Sequence, residues 1–287
     1  NAIQELAFTF ANAIEYIETC IEKGLKVDDF APRLSFFFCC TMEFFEEVAK
    51  FRAARRIYAK IMRERFHAKN AKSWHLRFHV QTSGESLTAQ QVDNNIVRVT
   101  IEALAAILGG CQSLHTNSRD EALALPTEES VKIALRTQHV IGAETGITKT
   151  VDPTAGSYYI EYLTNRIEEE VEKYLKKISR IGGALAAVEK GFFQEEIRRN
   201  AYRLKKEIDE NKRVIVGVNK FQDLHDIEPK LNTIDKEGEG RQISRLMDFK
   251  NSRDKTKVGQ ALDALQQAAE KQDENLMPHI IHAVKSN

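Results

Sequence analysis

Apolar residues recur along the chain with two different periods. Ile3, Leu6, Ala7, Phe10, Ile14 and Ile17 return at helical spacing, which predicts a helix over residues 2–23 closed by Gly24. "RLSFFFCC", Arg33 to Cys40, is a short aromatic run of strand length. Residues 42–66 return to an amphipathic helix. Trp74 to Thr82, "WHLRFHVQT", alternates as a strand does. Residues 88–109 predict a helix with Thr88 as N-cap and Gly109-Gly110 as its stop. "CQSLHT" is the third predicted strand, and Glu128 to Glu144 the helix after it.

Strand and helix alternating at this spacing predict βα units on a parallel sheet. A closed (β/α)8 barrel takes roughly 250 residues. Three units behind a leading helix therefore predict an α/β fold that is the second half of a TIM barrel. Beyond residue 150 the pattern changes. "DPTAGSYYIE" is rich in turn formers, and two long helical segments follow, 160–179 and 183–211, separated at Gly182-Gly183. "RVIVGVNKF" predicts one more strand, 222–240 a polar irregular stretch, and 241–273 charged helix. The expected organisation is thus 1–150 as the C-terminal half of the barrel and 151–287 as a mostly helical extension. The helical pattern is already running at Asn1 with no N-cap signal, and another helical run ends the chain at "IIHAVKSN". That pattern predicts a piece of a longer protein, with a split subunit that pairs with a missing N-terminal barrel half as the alternative.

Composition narrows the function classes. Lys plus Arg number 42 and Asp plus Glu 42, a balance that gives no reason to expect nucleic acid or an anionic membrane as partner. The apolar runs are too short to span a bilayer, and no signal peptide is visible. Cys20, Cys39, Cys40 and Cys111 lack CxxC spacing, so a zinc site is not expected and a reducing cytoplasm fits best.

The polar residues are the informative ones. In a parallel barrel, ligands meet the C-terminal strand ends and the loops that follow. Arg33 and Ser35 stand near the start of the first strand. On the second, Arg77, His79 and Gln81 alternate and so share one face, with Gly84 just beyond. Three long polar side chains are poor partners for an apolar helix layer, so an inward orientation is expected. The third strand ends at His115, followed by Asn117, Asp120 and Glu121. Barrel interiors are normally filled by branched apolar residues, and buried polar groups need partners. A polar layer repeated on successive strands predicts a polar ligand along the axis or at the mouth. Asp120 has an equal claim as a cap for the next helix.

Five stretches carry a resemblance: "RFHVQTSGESLTAQQ", "NNIVRVTIEALAAILGG", "QSLHTNSRDEALALPTEES", "RTQHVIGAETGITKTVDPTAGSYYIE" and "RVIVGVNKF". In this order they resemble the large subunit of the coenzyme-B12-dependent acyl-CoA mutases, of which methylmalonyl-CoA mutase is the main member. The resemblance implies an intramolecular transferase (an isomerase) that uses adenosylcobalamin for a radical carbon-skeleton rearrangement. The default reaction is (R)-methylmalonyl-CoA to succinyl-CoA. Isobutyryl-CoA, 2-hydroxyisobutyryl-CoA and ethylmalonyl-CoA mutases are alternatives, as is a non-catalytic partner subunit. It implies an acyl-CoA threaded along the barrel axis.

The resemblance also implies residue roles. Arg33 and Ser35 match residues that hold the CoA portion, and Phe37 an aromatic wall of the acyl pocket. His79 and Gln81 match residues at the thioester and the reaction site, Gln81 also touching the corrin. Gly84, Glu85, Glu121 and Ala122 match positions facing the corrin or adenosyl group, with Asn117 supporting that surface. Glu85 departs from the pattern, since methylmalonyl-CoA mutases typically carry Trp there. The cobalt-ligating histidine motif, DxHxxG, is absent, so no cobalt ligand is assigned and this chain alone is expected to be inactive. A cobalamin-binding domain or subunit, and a dimeric or heterotetrameric assembly, are the partners implied.

Overall fold

A computed structural model of the chain describes residues 1–223, 229–233 and 235–286. It falls into two compact units, Asn1–Asn232 and Thr233–Asn287. The boundary expected near residue 150 lies inside the first.

The first unit opens with α1 (Ala2–Glu22), a short α2 (Val27–Phe30), β1 (Phe36–Cys40) and α3 (Phe44–Lys60). Then come a short α4 (Ala71–Trp74), β2 (Phe78–Thr82), α5 (Asn94–Leu108), β3 (Ser113–His115) and α6 (Glu128–Glu144). The strands form one parallel sheet in the order β1-β2-β3. Its register sets Phe37 beside His79 and Cys39 beside Gln81, and on the other edge His79 beside Ser113 and Gln81 beside His115. This is the alternation of strand and crossover helix expected of a partial barrel.

One face of the sheet is fully covered. Phe38 and Cys40 of β1 and Phe78 and Val80 of β2 are buried among Phe51 and Ala54 of α3, Phe10 of α1 and Ala105 and Ala106 of α5. Gly109 lets α3 and α5 approach closely, since a Cβ there would lie 2.5 Å from the Phe51 ring. α7 (Tyr158–Ile181) then packs along α3 and α1 through Ile160, Thr164, Ile167, Val171 and Ile178, the buried stripe of an amphipathic helix. Arg52 anchors its start, pairing with Asp152 at 2.7 Å and Glu161 at 2.6 Å. A second small core forms where Phe8 of α1 stacks on Phe193 with centroids 4.4 Å apart, beside α8 (Gly183–Glu189) and α9 (Phe192–Asp209).

A buried ion cluster sits behind β1. Lys50, wholly inaccessible, binds Glu5 at 2.7 Å, the Cys39 carbonyl at 2.6 Å and Glu47. Burial alone would pull the Lys50 ammonium down, but the two carboxylates hold it above its ordinary range.

Several sequence expectations are corrected. Asn1 does cap α1, its side chain accepting from the Gln4 amide at 2.9 Å. Trp74 belongs to a helical turn capped by Asn70, and β2 starts only at Phe78. Thr88 does not cap α5, which begins six residues later, because its backbone is occupied by the Asn95 side chain. The predicted helix 183–211 is broken at Gly191, whose φ of 70° ends α8 and starts α9. "RVIVGVNKF" is no strand but a turn with a single bridge, Val216 to Lys220. Gly217 adopts φ 82°, and the Asn219 side chain takes the Ile215 amide and the Arg213 carbonyl that a strand neighbour would otherwise satisfy.

In the second unit α10 (Lys236–Ser252), α11 (Lys255–Ala269) and α12 (Met277–Lys285) are helical. Of the stretch expected to be irregular, 222–240, residues 224–228 and 234 lie outside the described residues and α10 already begins at Lys236. α11 packs on α12 and buries Val258, Ala261 and Ala268, with Asp254 capping its first turn. Among the described residues no helix is long and apolar enough to cross a membrane.

Candidate functional site

The second face of the sheet carries the polar residues. Burial alternates along β2: Phe78, Val80 and Thr82 are buried against the helices, while His79 and Gln81 are half-buried on the opposite side. Strand register then builds a stripe across three strands. Exposed Ser35 and Arg77 lie at its start, where the Phe36 amide donates to the Arg77 carbonyl. Phe37, His79 and Ser113 form the next row, and Cys39, Gln81 and His115 the row after it. Asn117 and Gly84 follow at the C-terminal ends of β3 and β2.

Each row has internal contacts. His79 Nδ1 is 2.7 Å from the Ser113 hydroxyl, and its ring lies 5.2 Å from that of Phe37. Phe37 is 59% exposed, an aromatic surface left open on this face. With Nδ1 engaged by a hydroxyl, Nε2 is the ring nitrogen that remains for a ligand. Gln81 donates through Nε2 to Asn117 Oδ1 at 2.8 Å. Asn117 is buried and pinned to β2: its amide nitrogen donates to Thr82 Oγ1 at 2.9 Å and its Nδ2 to the Thr82 carbonyl at 3.0 Å. That fixes Gln81 and leaves the Gln81 carbonyl oxygen as an open acceptor.

The loop after β2 and the loop after β3 meet at Gly84. A Cβ at that position would lie 3.3 Å from Asn117 Nδ2 and 3.7 Å from Glu121 Cγ. Its backbone is ordinary, so glycine is favoured here by the closeness of the two loops and not by its conformation. Glu85, Glu121 and Ala122 are exposed around this junction. The structure thus brings His79, Gln81, Phe37, Asn117, Gly84 and Glu121 into one continuous surface. Arg33 and Ser35 stand apart from the loops, at the opposite end of β1. A flat, amide-bearing macrocycle such as a corrin suits the loop end. It offers a side-chain-free position at Gly84, a small residue at Ala122 and carboxylate acceptors at Glu85 and Glu121. Among the described residues no group of three or more His, Cys, Asp or Glu is placed to hold a metal ion.

Asp120 belongs to the loop and not to that surface. It is buried and accepts from the Thr127 amide at 3.1 Å, while Thr127 itself caps α6. Burial would push its carboxyl up, yet the neighbouring Ser118 and Ser130 hydroxyls and the Thr127 amide hold it below the usual carboxylate range.

Sequence reasoning missed the layer beneath. Asn95, Arg98 and Glu102 of α5 are buried polar residues at i, i+3 and i+7. Asn95 and Arg98 bind the Thr88 end of the loop that follows β2, and Glu102 accepts from the Ser83 amide at its start, at 3.0 Å. Three polar side chains at i, i+3 and i+7 on one stripe of a largely apolar helix were the available signal. Ser113 was missed as well.

A profile of the methylmalonyl-CoA mutase family matches residues 1–287. The chain is 45% identical over 285 residues to the 2-hydroxyisobutanoyl-CoA mutase large subunit of Aquincola tertiaricarbonis, covering 99% of this chain and 51% of that one. It is 47% identical over 286 residues to methylmalonyl-CoA mutase of Escherichia coli (strain K12), covering 99% and 40%. To the mitochondrial methylmalonyl-CoA mutase of Homo sapiens it is 45% identical over 287 residues, covering 100% and 38%. The chain spans about half the length of these relatives or less. A match along its whole length, on a partial parallel barrel with this polar stripe, places the chain in the methylmalonyl-CoA mutase family.

Proposed function

We propose that the chain is part of the catalytic subunit of an adenosylcobalamin-dependent acyl-CoA mutase, with (R)-methylmalonyl-CoA to succinyl-CoA as the leading reaction. The observation that carries this reading is the polar stripe on the uncovered sheet face, running from Arg33 and Ser35 to the Gly84–Asn117–Glu121 junction. An extended thioester fits along it, with the CoA portion toward Arg33 and Ser35 and the acyl group between Phe37, His79 and Gln81.

The chemistry of each residue follows from its partners. If the Ser113 hydroxyl donates to His79 Nδ1, the ring proton sits on Nε2 and can be given in a hydrogen bond to the acyl carbonyl oxygen. Gln81, fixed by Asn117, presents its carbonyl oxygen beside the reacting carbons. Phe37 covers the acyl group and displaces water from it. Gly84, Glu85, Glu121 and Ala122 would hold the corrin. The cofactor supplies the radical when bound; the protein orients the substrate and excludes side reactions.

A second reading is a mutase acting on a different acyl-CoA, such as 2-hydroxyisobutyryl-, isobutyryl- or ethylmalonyl-CoA. Exposed Glu85, standing where the resemblance implies Trp, favours it. A cobalamin-binding domain or subunit as partner, in a dimeric or heterotetrameric assembly, is supported by the large-subunit relative. A cytoplasmic setting is supported by four cysteines that are all unpaired.

The test is turnover by the full-length protein, with its partner and adenosylcobalamin, on the four acyl-CoA esters. Isomerisation of one of them, abolished by cofactor omission, is the expected result. No isomerisation of any would overturn the reading.

A further inference from the structure

The two loops that meet at Gly84 are tied together from behind by one side chain. Asn95 stands in the first turn of α5 and is wholly buried. Its Nδ2 donates to the Thr88 carbonyl at 2.8 Å and to the Arg119 carbonyl at 2.8 Å. Its Oδ1 accepts from the Thr88 amide at 3.1 Å and from Arg98 Nη1 at 2.7 Å. Thr88 ends the loop that carries Gly84 and Glu85. Arg119 lies in the loop that carries Asn117 and Glu121. All four hydrogen-bonding positions of the amide are used, and they join the loops to each other and to the helix beneath both.

We infer that Asn95 is a positioning residue, a clamp that sets the spacing of the Gly84 and Asn117 loops and so shapes the surface offered to the corrin. Arg98 reinforces it, donating to Thr88 Oγ1 at 2.9 Å and to the Val216 carbonyl at 2.8 Å. Only a carboxamide serves here. Aspartate has the same shape, but it would set a carboxylate oxygen against two carbonyl oxygens where donors are needed. The Gly84 Cβ clearance shows how little spacing there is to lose.

The inference rests on the proposed cofactor site, and its test separates the two. Full-length protein, assembled with its cobalamin-binding partner, is titrated with adenosylcobalamin and followed by corrin absorbance, for the parent, Asn95→Asp and Thr88→Ala. Asn95→Asp is expected to bind cobalamin about tenfold more weakly, as for a lost buried hydrogen-bond network, with KM for the acyl-CoA changed less than about twofold. Thr88→Ala keeps both backbone bonds to Asn95 but loses the hydroxyl that accepts from Arg98, and is expected to weaken cobalamin binding by only about threefold, less than Asn95→Asp. Unchanged affinity in Asn95→Asp overturns the clamp. If that variant does not fold, amide exchange in the parent decides. Slow exchange at Thr88, comparable with the core of α5, supports the clamp, and exchange as fast as in an open loop overturns it. Failure of the parent to bind cobalamin would sink the proposed function alone, since the Thr88 exchange still judges the clamp.

Discussion

Gln81 reaches across from β2 to give its side-chain amide to Asn117 Oδ1 at 2.8 Å, and Asn117 hands its own amide back to the Thr82 carbonyl of the same strand at 3.0 Å. The orientation of Gln81 is therefore set by a residue on the neighbouring loop. In the full-length holoenzyme, Gln81→Ala is expected to lower kcat roughly tenfold or more while leaving KM for the acyl-CoA within about threefold. Asn117→Ala should lower kcat similarly and also lower the melting temperature, because it removes the Nδ2 donor from the buried Thr82 carbonyl while the backbone bond to Thr82 Oγ1 remains. Steady-state kinetics on both variants checks this; parent-like kcat in Gln81→Ala would remove its assigned role.

Gly84 is constrained by its neighbours. An added methyl meets Asn117 Nδ2 at 3.3 Å, and that amide cannot swing away because Thr82 and Gln81 hold it. Gly84→Ala is expected to destabilise the chain by about 1 kcal/mol, the low end of overpacking. The same change should weaken cobalamin binding. Denaturant titration and corrin absorbance read the two effects separately. A variant with unchanged stability and unchanged affinity would show that the loops have slack.

Much of this was legible in the sequence, and the reasons differ by element. The parallel sheet was legible because "RFHVQT" and "FFFCC" alternate or run apolar between long amphipathic helices. The polar face of β2 followed from the two-residue period alone, since Arg77, His79 and Gln81 cannot all meet an apolar helix layer. "RVIVGVNKF" misled because β-branched residues fit a strand by composition, while Gly217 and the Asn219 side chain close it into a turn. The clamp beneath the loops was missed for a different reason. Asn95, Arg98 and Glu102 sit on a helix whose polar residues ordinarily face solvent, and nothing local says that a loop covers them. The boundary at residue 150 marked a change of pattern, yet Arg52 reaches Asp152 and Glu161 across it.

Lys50 is a buried cation with two acidic partners, Glu5 and Glu47, and the Cys39 carbonyl. Lys50→Met leaves buried Glu47 without its cation, and Glu5 with the Cys39 amide as its remaining partner, and is expected to cost about 3–5 kcal/mol. Restoring neutrality with Glu5→Gln and Glu47→Gln in the same chain should recover a large part of that loss. Urea unfolding of the single and triple variants checks it. Equal stability of Lys50→Met and the parent would mean that water reaches this site.

Glu102 gives the chain a pH dependence of definite sign. Burial pushes its carboxyl up to about 8, against the lowering pull of the Ser86 hydroxyl and the Ser83 amide; Glu47 on α3 adds to the rise and Arg98 on the same helix opposes it. The folded state thus keeps a proton there that the unfolded chain releases near the ordinary glutamate value of about 4.3. Between those two values the unfolded state binds fewer protons, so this group's contribution to stability is full below about pH 4.3 and falls as pH rises through about 8. Glu102→Gln keeps the carbonyl oxygen that accepts from Ser83 and removes the titration. Melting temperatures of the two proteins should therefore lie closest near pH 5 and diverge toward pH 8.5, with the glutamine variant gaining roughly 10 °C, since a shift of this size is worth about 4 kcal/mol over that range and each kcal/mol moves the melting temperature by about 2–4 °C. Parallel curves across that range would mean that Glu102 titrates as an ordinary exposed carboxylate and that the Ser83 loop is not sealed over it.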